Sequence, residues 1–297
     1  MRKLFKIFLI IILILGVFSL FTLLSPYPTV WLTRYIFSKS SYTSHKDLDV
    51  VRENIEIIQD VNYPSNYSNN TLDIIYPKNA SDETFPVIFW IHGGAFISGD
   101  KSDVTNYMIM LANEGFVIVN INYTLAPKFK YPAPIVQLGE AYSFIENSTD
   151  YPFINKDQIY FGGDSAGAHI VAQFILIQTN DEYVNTINKI SETRNINKVV
   201  NKEIREVILF CGPYDFEALS NLVKGQTANS TNKKIISIIS FFAKRIGFAY
   251  LGDLNWKNKD KYKVLSIPEY VTSSFPPAFL TDGPSFLLKT MKKKLET

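Results

Sequence analysis

Cysteine and histidine are scarce in this sequence of 297 residues, which holds one cysteine and three histidines. A single thiol cannot form a disulfide within the chain, and no cluster of histidine, cysteine and carboxylate residues has metal-ligand spacing. The formal net charge is only +2, so the concentrated basic face that nucleic-acid binding requires is missing. We therefore expect no metal, no organic cofactor and no nucleic-acid partner. The one cysteine, Cys211, lies in an apolar run and is predicted to be a small buried side chain.

The longest hydrophobic run lies near the amino terminus. Arg2, Lys3 and Lys6 precede an apolar run at residues 7–24, which as a helix would be ~27 Å long, close to the ~30 Å hydrocarbon core of a bilayer. The positive residues before the run, with no basic cluster just after it, place the amino terminus inside and the rest of the chain outside. We expect an uncleaved, single-pass anchor in the cell membrane. A cleaved signal peptide is the alternative, with a weak cleavage pattern at 17–19.

Strand-like and helix-like segments alternate through most of the remaining chain. This alternation is typical of an α/β fold with a mostly parallel central sheet and helices on both faces. We divide the chain into a membrane anchor at 1–25, a juxtamembrane segment at 26–50 and one extracytoplasmic domain at 51–297. The predicted strands are 54–61, 71–76, 86–91, 116–122, 157–161, 207–211 and 277–280; the predicted helices include 107–114, 136–145 and 166–178, and the charged region 184–206 is helix-like.

The most informative motif is Gly163-Asp164-Ser165-Ala166-Gly167. A G-x-S-x-G pentapeptide between a strand and a helix is what a strained nucleophile turn requires, and here a predicted strand precedes it and a predicted helix follows. The two glycines allow a sharp turn and close packing, which would leave the Ser165 hydroxyl exposed at the carboxyl edge of the sheet. Chance matches are common, so this motif needs a second signal.

That signal lies upstream, where His92-Gly93-Gly94-Ala95 follows the predicted strand 86–91. A glycine turn there lets backbone N–H groups point at a ligand oxygen. Such donors stabilise the charge on a tetrahedral intermediate of acyl transfer, at ~3 kcal/mol each. Taken alone, a plain turn after a strand explains the segment as well. Together the two motifs predict a serine nucleophile, Ser165, with an oxyanion hole from Gly93, Gly94, Ala95 and Ala166.

At these motifs the chain resembles the alpha/beta-hydrolase fold, specifically the hormone-sensitive-lipase-like esterase and lipase group, whose members pair H-G-G-G with G-D-S-A-G. The segments at 122–127 and 131–133 are also similar to the family's Y-R-L-A-P and F-P-A. Three residues depart from the pattern: Ala95 replaces the third glycine, Thr124 replaces the usual arginine, and Gln137 stands where an aspartate is common. The resemblance runs from about residue 60 to residue 283.

The resemblance implies a carboxylic ester hydrolase, an esterase or lipase, that forms an acyl-enzyme on Ser165 and acts on a small-molecule ester. An amidase or peptidase using the same serine is a further possibility. The stretch 216–275 does not alternate like the rest and is predicted to be a lid, with a helix at 234–248 over the mouth of the site. The alternative places this helix against the membrane as an interfacial helix.

The catalytic triad that the resemblance implies is incomplete. In this fold the order is serine, then aspartate or glutamate, then histidine, and no histidine follows Ser165 except His169. His169 lies one turn into the helix behind the nucleophile, so we expect a packed side chain and not the base. His92 is expected to brace the oxyanion loop, and His45 precedes the folded domain.

The carboxyl end of the sequence offers a reason for this gap. Residues 274–283 resemble the family's penultimate strand, and 284–297 hold only a connecting helix, so we expect a truncated fold without the final strand and histidine loop. Asp282 is the carboxylate nearest to the expected acid position, and Asp215 is the alternative. The sequence therefore predicts an esterase or lipase impaired by loss of its base. The alternative is a catalytically inactive hydrolase-fold binding protein or a gene fragment.

Overall fold

The computed structural model describes residues 2–37, 44–78, 83–190, 196–224 and 233–281. Two helices come first, α1 (Arg2–Leu24) and α2 (Tyr27–Phe37). A short 3-10 turn spans Lys101–Asp103, and three more lie between residues 256 and 269. The other elements are, in chain order, α3 (Leu48–Arg52), β1 (Ile55–Asn62), β2 (Thr71–Pro77), β3 (Phe85–Ile91), α4 (Thr105–Asn113), β4 (Val117–Ile121), α5 (Ala133–Asn147), β5 (Ile154–Asp164), α6 (Ala166–Thr179), α7 (Asp181–Ile190), β6 (Ile204–Phe210), α8 (Phe216–Val223), α9 (Lys233–Leu251) and β7 (Ala278–Thr281).

The seven strands form one sheet in the order β1-β2-β4-β3-β5-β6-β7. Strands β4, β3, β5, β6 and β7 are parallel, and β1 and β2 are antiparallel to their neighbours. The prediction of a mostly parallel α/β sheet is confirmed. Because β3 and β5 are adjacent and parallel, with Ile91 beside Gly163, the segments that follow them leave the same edge of the sheet. Ligands of open α/β sheets bind at this carboxyl edge.

Both faces of the sheet are covered, and β3 shows why. Phe89 packs in the core beneath α5 and α6, while Ile88 and Trp90 pack in the core beneath α3 and α4, because successive strand side chains point to opposite faces. Helix α6 is buried from Ala166 to Ile177, as expected for a helix that is apolar all round.

One predicted element is wrong at its carboxyl end. Helix α7 ends at Ile190 and strand β6 begins at Ile204, so the predicted helix-like region 184–206 includes the start of a strand; residues 191–195 lie outside the described part of the chain. Ile204 is buried because β6 is an inner strand of the sheet, and the charged residues next to it obscured the start of this strand.

The segment between β6 and β7 holds α8, α9 and the short turns. Helix α9 lies over the carboxyl edge, where Tyr250 stacks on Phe96 with ring centroids 4.0 Å apart. Helix α2 also docks at this edge: the Arg34 Nε donates to the Ile97 carbonyl at 2.6 Å, and its Nη2 donates to the Ala126 carbonyl at 3.2 Å. Helix α1 has no buried residue.

A buried ion network connects β1, β2 and the loop after β3. The Lys101 Nζ lies 2.7 Å from Asp73 Oδ1 and 2.8 Å from Asp60 Oδ1, and the side chains of Lys101 and Asp73 are buried. The Lys101 N–H donates to Asn122 Oδ1 at 2.7 Å. The network therefore fixes the far end of the loop that starts at His92.

Replacing Lys101 by methionine should lower the free energy of unfolding by about 3–5 kcal/mol, because the buried Asp73 carboxylate loses its cation. Lys202→Met is the matched control, since Lys202 also contacts two carboxylates, Glu146 at 3.1 Å and Asp157 at 3.0 Å, but on the surface. The control should cost at most about 1 kcal/mol. Urea unfolding of the full chain in detergent measures the free energy of unfolding of both variants. Equal losses in the two variants would contradict the stabilising role of the buried Lys101–Asp73 pair.

Candidate active site

Ser165 is the single residue between β5, which ends at Asp164, and α6, which begins at Ala166. Its backbone has φ 51° and ψ −117°, a conformation that residues other than glycine rarely adopt. The Ser165 N–H donates to the Phe210 carbonyl at 2.6 Å, and the Ser165 carbonyl accepts from the His169 N–H at 3.2 Å. This strained strand-to-helix turn is the geometry of a nucleophile elbow.

The two flanking glycines are required by close packing. A Cβ on Gly167 would overlap the carbonyl oxygen of Ile91 at the end of β3, and a Cβ on Gly163 would stand 2.8 Å from the same oxygen. Any larger residue at either position would push α6 away from the sheet. The turn at Ser165 is therefore set by contacts on both sides.

The loop after β3 lies directly against this turn. A Cβ on Gly93 would stand 3.2 Å from the Cβ of Ser165. Gly94 has φ 120° and Ala95 has φ 54°, so the loop turns through left-handed backbone that costs an alanine ~1–2 kcal/mol. Ala95 thus holds the kind of backbone conformation for which glycine is the usual residue, although it departs from the H-G-G-G pattern.

The backbone donors around Ser165 differ in what they already bind. The Gly93 N–H hydrogen-bonds the Asp164 carboxyl, whose pKa is raised by burial and lowered by that bond, with a net upward shift. Among the described residues, nothing accepts a hydrogen bond from the N–H groups of Gly94 and Ala95. Ala166 opens α6, and the first N–H of a helix has no intrahelical partner. Gly94, Ala95 and Ala166 are thus the donors that remain for a ligand oxygen.

Two cavities meet at Ser165. One, of about 630 Å³, is lined by the loop after β3, by Asp164 and by Arg34 and Phe37 of α2. The other, of about 210 Å³, is almost wholly apolar and lies beneath α9. Its lining includes Ala95, Phe96, Ala166, Cys211, Phe216, Ala243, Ile246, Gly247 and Tyr250.

The prediction that Cys211 is buried is wrong, because its side chain is exposed. Cys211 follows the last residue of β6 and has φ 53°, so it no longer follows the in-and-out alternation of the strand. Its position beside the apolar cavity gives the site an accessible thiol.

None of the three histidines hydrogen-bonds Ser165. The His92 ring stacks on Tyr123 and its Nδ1 lies 2.6 Å from the Gly93 carbonyl oxygen, as in the predicted bracing role. The His169 Nε2 lies 3.0 Å from the Leu265 carbonyl oxygen, and its ring packs between Phe96 and Phe216. His45 is exposed and lies 3.7 Å from Asp47.

The structure describes only one of the two candidate acids, Asp215. Asp282 lies outside the described residues, as does the helix predicted after it. Asp215 accepts a hydrogen bond from the Ala218 N–H at 2.8 Å, so it caps the start of α8. This cap uses one carboxylate oxygen for helix stability.

Comparison with known proteins identifies the family. Residues 72–285 match the BD-FAE family. The chain belongs to this family. The chain is 34% identical over 83 residues to an acetyl esterase of Salmonella schwarzengrund (strain CVM19633), a stretch that covers 28% of this chain and 26% of that protein. The acetyl esterase of Salmonella typhi matches at 34% over 82 residues. The match thus spans about a quarter of the length of these curated relatives.

Solved structures show the same fold at low sequence identity. Esterase B from Lactobacillus rhamnosis (HN001) superposes with a TM-score of 0.65 at 18% identity, covering 91% of this chain and 79% of that structure. A bacterial heroin esterase gives a TM-score of 0.55 at 21% identity, covering 77% and 66%. The prediction of an alpha/beta-hydrolase fold in the esterase and lipase group is confirmed.

Two side chains at the candidate site were not predicted from the sequence. Arg34 and Phe37 of α2 line the larger cavity with Ser165, although they belong to the segment predicted to be juxtamembrane. Arg34 is the only charged residue in α2. A lone cation on an otherwise uncharged helix was the available signal, because such a residue needs acceptors on the surface it covers.

The buried His169 should make the free energy of unfolding of the chain sensitive to acid. Burial lowers the pKa of His169 to about 4, whereas the unfolded chain takes up this proton near pH 6.5. The unfolded state therefore binds more protons between these values, and the free energy of unfolding should fall by about 3 kcal/mol as the pH drops across that window.

His169→Gln should reduce this dependence, and a remainder should persist because burial also lowers the pKa of His92. His45→Gln, at an exposed site, is the control. Urea unfolding in detergent at several pH values measures the slopes. Identical slopes for the wild type and His169→Gln would show that His169 is not the group responsible.

Proposed function

We propose that this chain is a membrane-anchored carboxylic ester hydrolase with Ser165 as its nucleophile. The observation that carries the proposal is the strained turn that holds Ser165 at the junction of two cavities and against the Gly93–Ala95 loop. Membership of a family with esterase relatives supports the reaction class.

In the proposed reaction the Ser165 Oγ attacks the ester carbonyl carbon. The carbonyl oxygen becomes an oxyanion, which the N–H groups of Gly94, Ala95 and Ala166 stabilise. The C–O bond to the alcohol then breaks, the alcohol leaves with a proton, and an acyl-serine remains. Water attacks this ester and releases the acid. The small apolar cavity beneath α9 suits the acyl group, because it has almost no polar lining.

Proton transfer is the step for which the described residues offer no base. An attacking serine needs a base within hydrogen-bond reach, and the contacts of His92 and His169 direct both rings elsewhere. We therefore propose that the 297 residues alone turn over slowly. Losing the histidine of a comparable serine hydrolase costs about 10⁶-fold in turnover. The same observation favours a second candidate, a hydrolase-fold protein that binds an acyl compound without turnover.

Added imidazole separates these two candidates. In the 297-residue chain, imidazole should act as a diffusible base and raise the hydrolysis of p-nitrophenyl acetate in a Ser165-dependent way. Ser165→Ala is the control, which measures the reaction of imidazole with the ester itself. Equal rates for the two chains at every imidazole concentration would favour the binding protein. Turnover of about 10 s⁻¹ without imidazole, an ordinary enzyme rate, would show that another group supplies the base.

We further propose that α1 remains in the chain as the anchor, with its amino terminus inside the cell. Its 23 residues are apolar beyond Lys6 and none is buried by the domain, so water would otherwise surround them. A signal sequence passes the same tests of length and composition.

Carbonate extraction of membranes from an expressing cell tests the anchor. The full-length chain should stay in the pellet, because about 27 Å of apolar helix at 7–24 is close to the thickness of the hydrocarbon core. A variant with Ile12→Asp and Leu13→Asp should be released, which controls for trapping or aggregation. A soluble full-length wild type, or a mature chain that has lost α1, would contradict the anchor.

A further inference from the structure

Helix α2 presents an aromatic stripe to solvent. Tyr27, Trp31 and Tyr35 follow one another at four-residue spacing on one side of the helix, and Trp31 is 57% exposed. The opposite side is buried against the domain. Tyrosine and tryptophan concentrate at the headgroup level of membranes, because each joins an apolar body to a polar tip. The stripe therefore has the composition of a membrane-interface surface.

This stripe lies level with the end of α1. The Trp31 ring packs against Phe21 in the last turn of α1, with centroids 6.4 Å apart. Ser25 continues the chain from that turn, since its N–H donates to the Phe21 carbonyl at 2.9 Å. The place where an α1 anchor leaves the bilayer is thus the place where the stripe begins.

Helix α9 is fastened to the same point. Arg245 donates hydrogen bonds to the carbonyl oxygens of Thr22, Leu23 and Ser25, which are terminal carbonyls that α1 cannot satisfy internally. The direction of α1 is therefore fixed relative to α9. A membrane crossed by α1 would lie beside whichever face of α9 carries Arg245.

The face of α9 that carries the buried Arg245 is apolar and exposed over the two turns that precede it. Ile238, Phe241 and Arg245 follow one another at spacings of three and four residues, which places them on one side of the helix. Phe241 is 56% exposed. The opposite side of α9 lines the apolar cavity at Ser165, through Ala243, Ile246, Gly247 and Tyr250. Helix α9 therefore separates the Ser165 cavity from the face at which α1 ends.

We infer that a bilayer surface covers the interfacial face, and that the substrates are acyl esters dissolved in lipid, which enter the cavity beside α9. The interfacial face consists of Tyr27, Trp31, Tyr35, Ile238 and Phe241. The inference rests on the proposed function for its anchor and its reaction. Lipid is the occupant because the direction of α1, held by Arg245, brings this face to the membrane. A second copy of the chain is an alternative occupant that the experiment excludes or reveals.

A fluorescent label on α9 tests the contact. Phe241→Cys in a Cys211→Ser background carries the dye NBD, and the full chain is reconstituted in phosphatidylcholine vesicles. The control is Glu203→Cys, an exposed position just before β6, at the end of the sheet away from Ser165. The label at 241 should emit at a shorter wavelength than the label at 203, and spin-labelled lipid should quench it several-fold. The label at 203 should instead be quenched by aqueous iodide.

Two results would overturn the inference. A label at 241 that iodide quenches as strongly as the label at 203 lies in water. A label at 241 that neither iodide nor spin-labelled lipid quenches lies under protein, such as a second copy. Ser165→Ala in the same background should give the wild-type result, because lipid contact needs no chemistry. Absence of Ser165-dependent ester hydrolysis would therefore contradict the proposed function, but it would not contradict the contact between this face and the membrane.

The substrate class has its own measurement, which uses Cys211 as a native probe of the cavity. Iodoacetamide should alkylate Cys211 in the reconstituted wild type. Adding dioleoylglycerol to vesicles of ether-linked phosphatidylcholine should slow that reaction several-fold, because an acyl chain would fill the cavity beside the thiol. Triacetin, a water-soluble ester of the same glycerol, should slow it less at equal total concentration. Equal alkylation rates with and without dioleoylglycerol would contradict entry from lipid.

Discussion

The contact between Gly167 and the carbonyl oxygen of Ile91 is the constraint on which the candidate site depends. No side chain fits between them, so α6 begins directly against the end of β3. The chain must then reverse within one residue, and that residue, Ser165, takes the strained left-handed conformation. Because β3 and β5 are parallel neighbours, the loop at Gly93 and Gly94 begins beside the serine.

The loop itself depends on groups outside the sheet. His92 stacks on Tyr123, whose hydroxyl donates to the His92 carbonyl at 3.2 Å. Arg34 of α2 donates a hydrogen bond to the Ile97 carbonyl. Lys101 fixes the far end through Asn122. An N-terminal helix next to an apolar segment thus takes part in positioning backbone donors, which links the candidate chemistry to the surface that we assign to the membrane.

The sequence was most informative where local pattern decides structure. The G-x-S-x-G motif and the strands of the parallel sheet could be predicted, because β-branched runs and turn glycines act over a few residues. The exposure of Cys211 could not, since it depends on a positive φ just after β6. Gln137 illustrates a different limit: its side chain accepts from the Thr124 N–H at 2.6 Å and donates to the Ser68 carbonyl at 3.2 Å, contacts between segments that are distant in sequence.

The placement of Arg34 was equally beyond the sequence. A helix of eleven residues with one cation is compatible with many docking sites, and only the tertiary structure shows that its acceptors are the carbonyls of Ile97 and Ala126. The acid of the triad stays a prediction, because Asp282 lies outside the described residues and Asp215 caps α8.

The central claim is that the elbow and the loop form a competent site for which the described residues supply no base. The most direct measurement extends the chain with the final strand and histidine loop of a related esterase and follows p-nitrophenyl butyrate hydrolysis. The account predicts a gain in turnover of up to about 10⁶-fold, lost again in Ser165→Ala. A folded, extended chain without Ser165-dependent hydrolysis would contradict it.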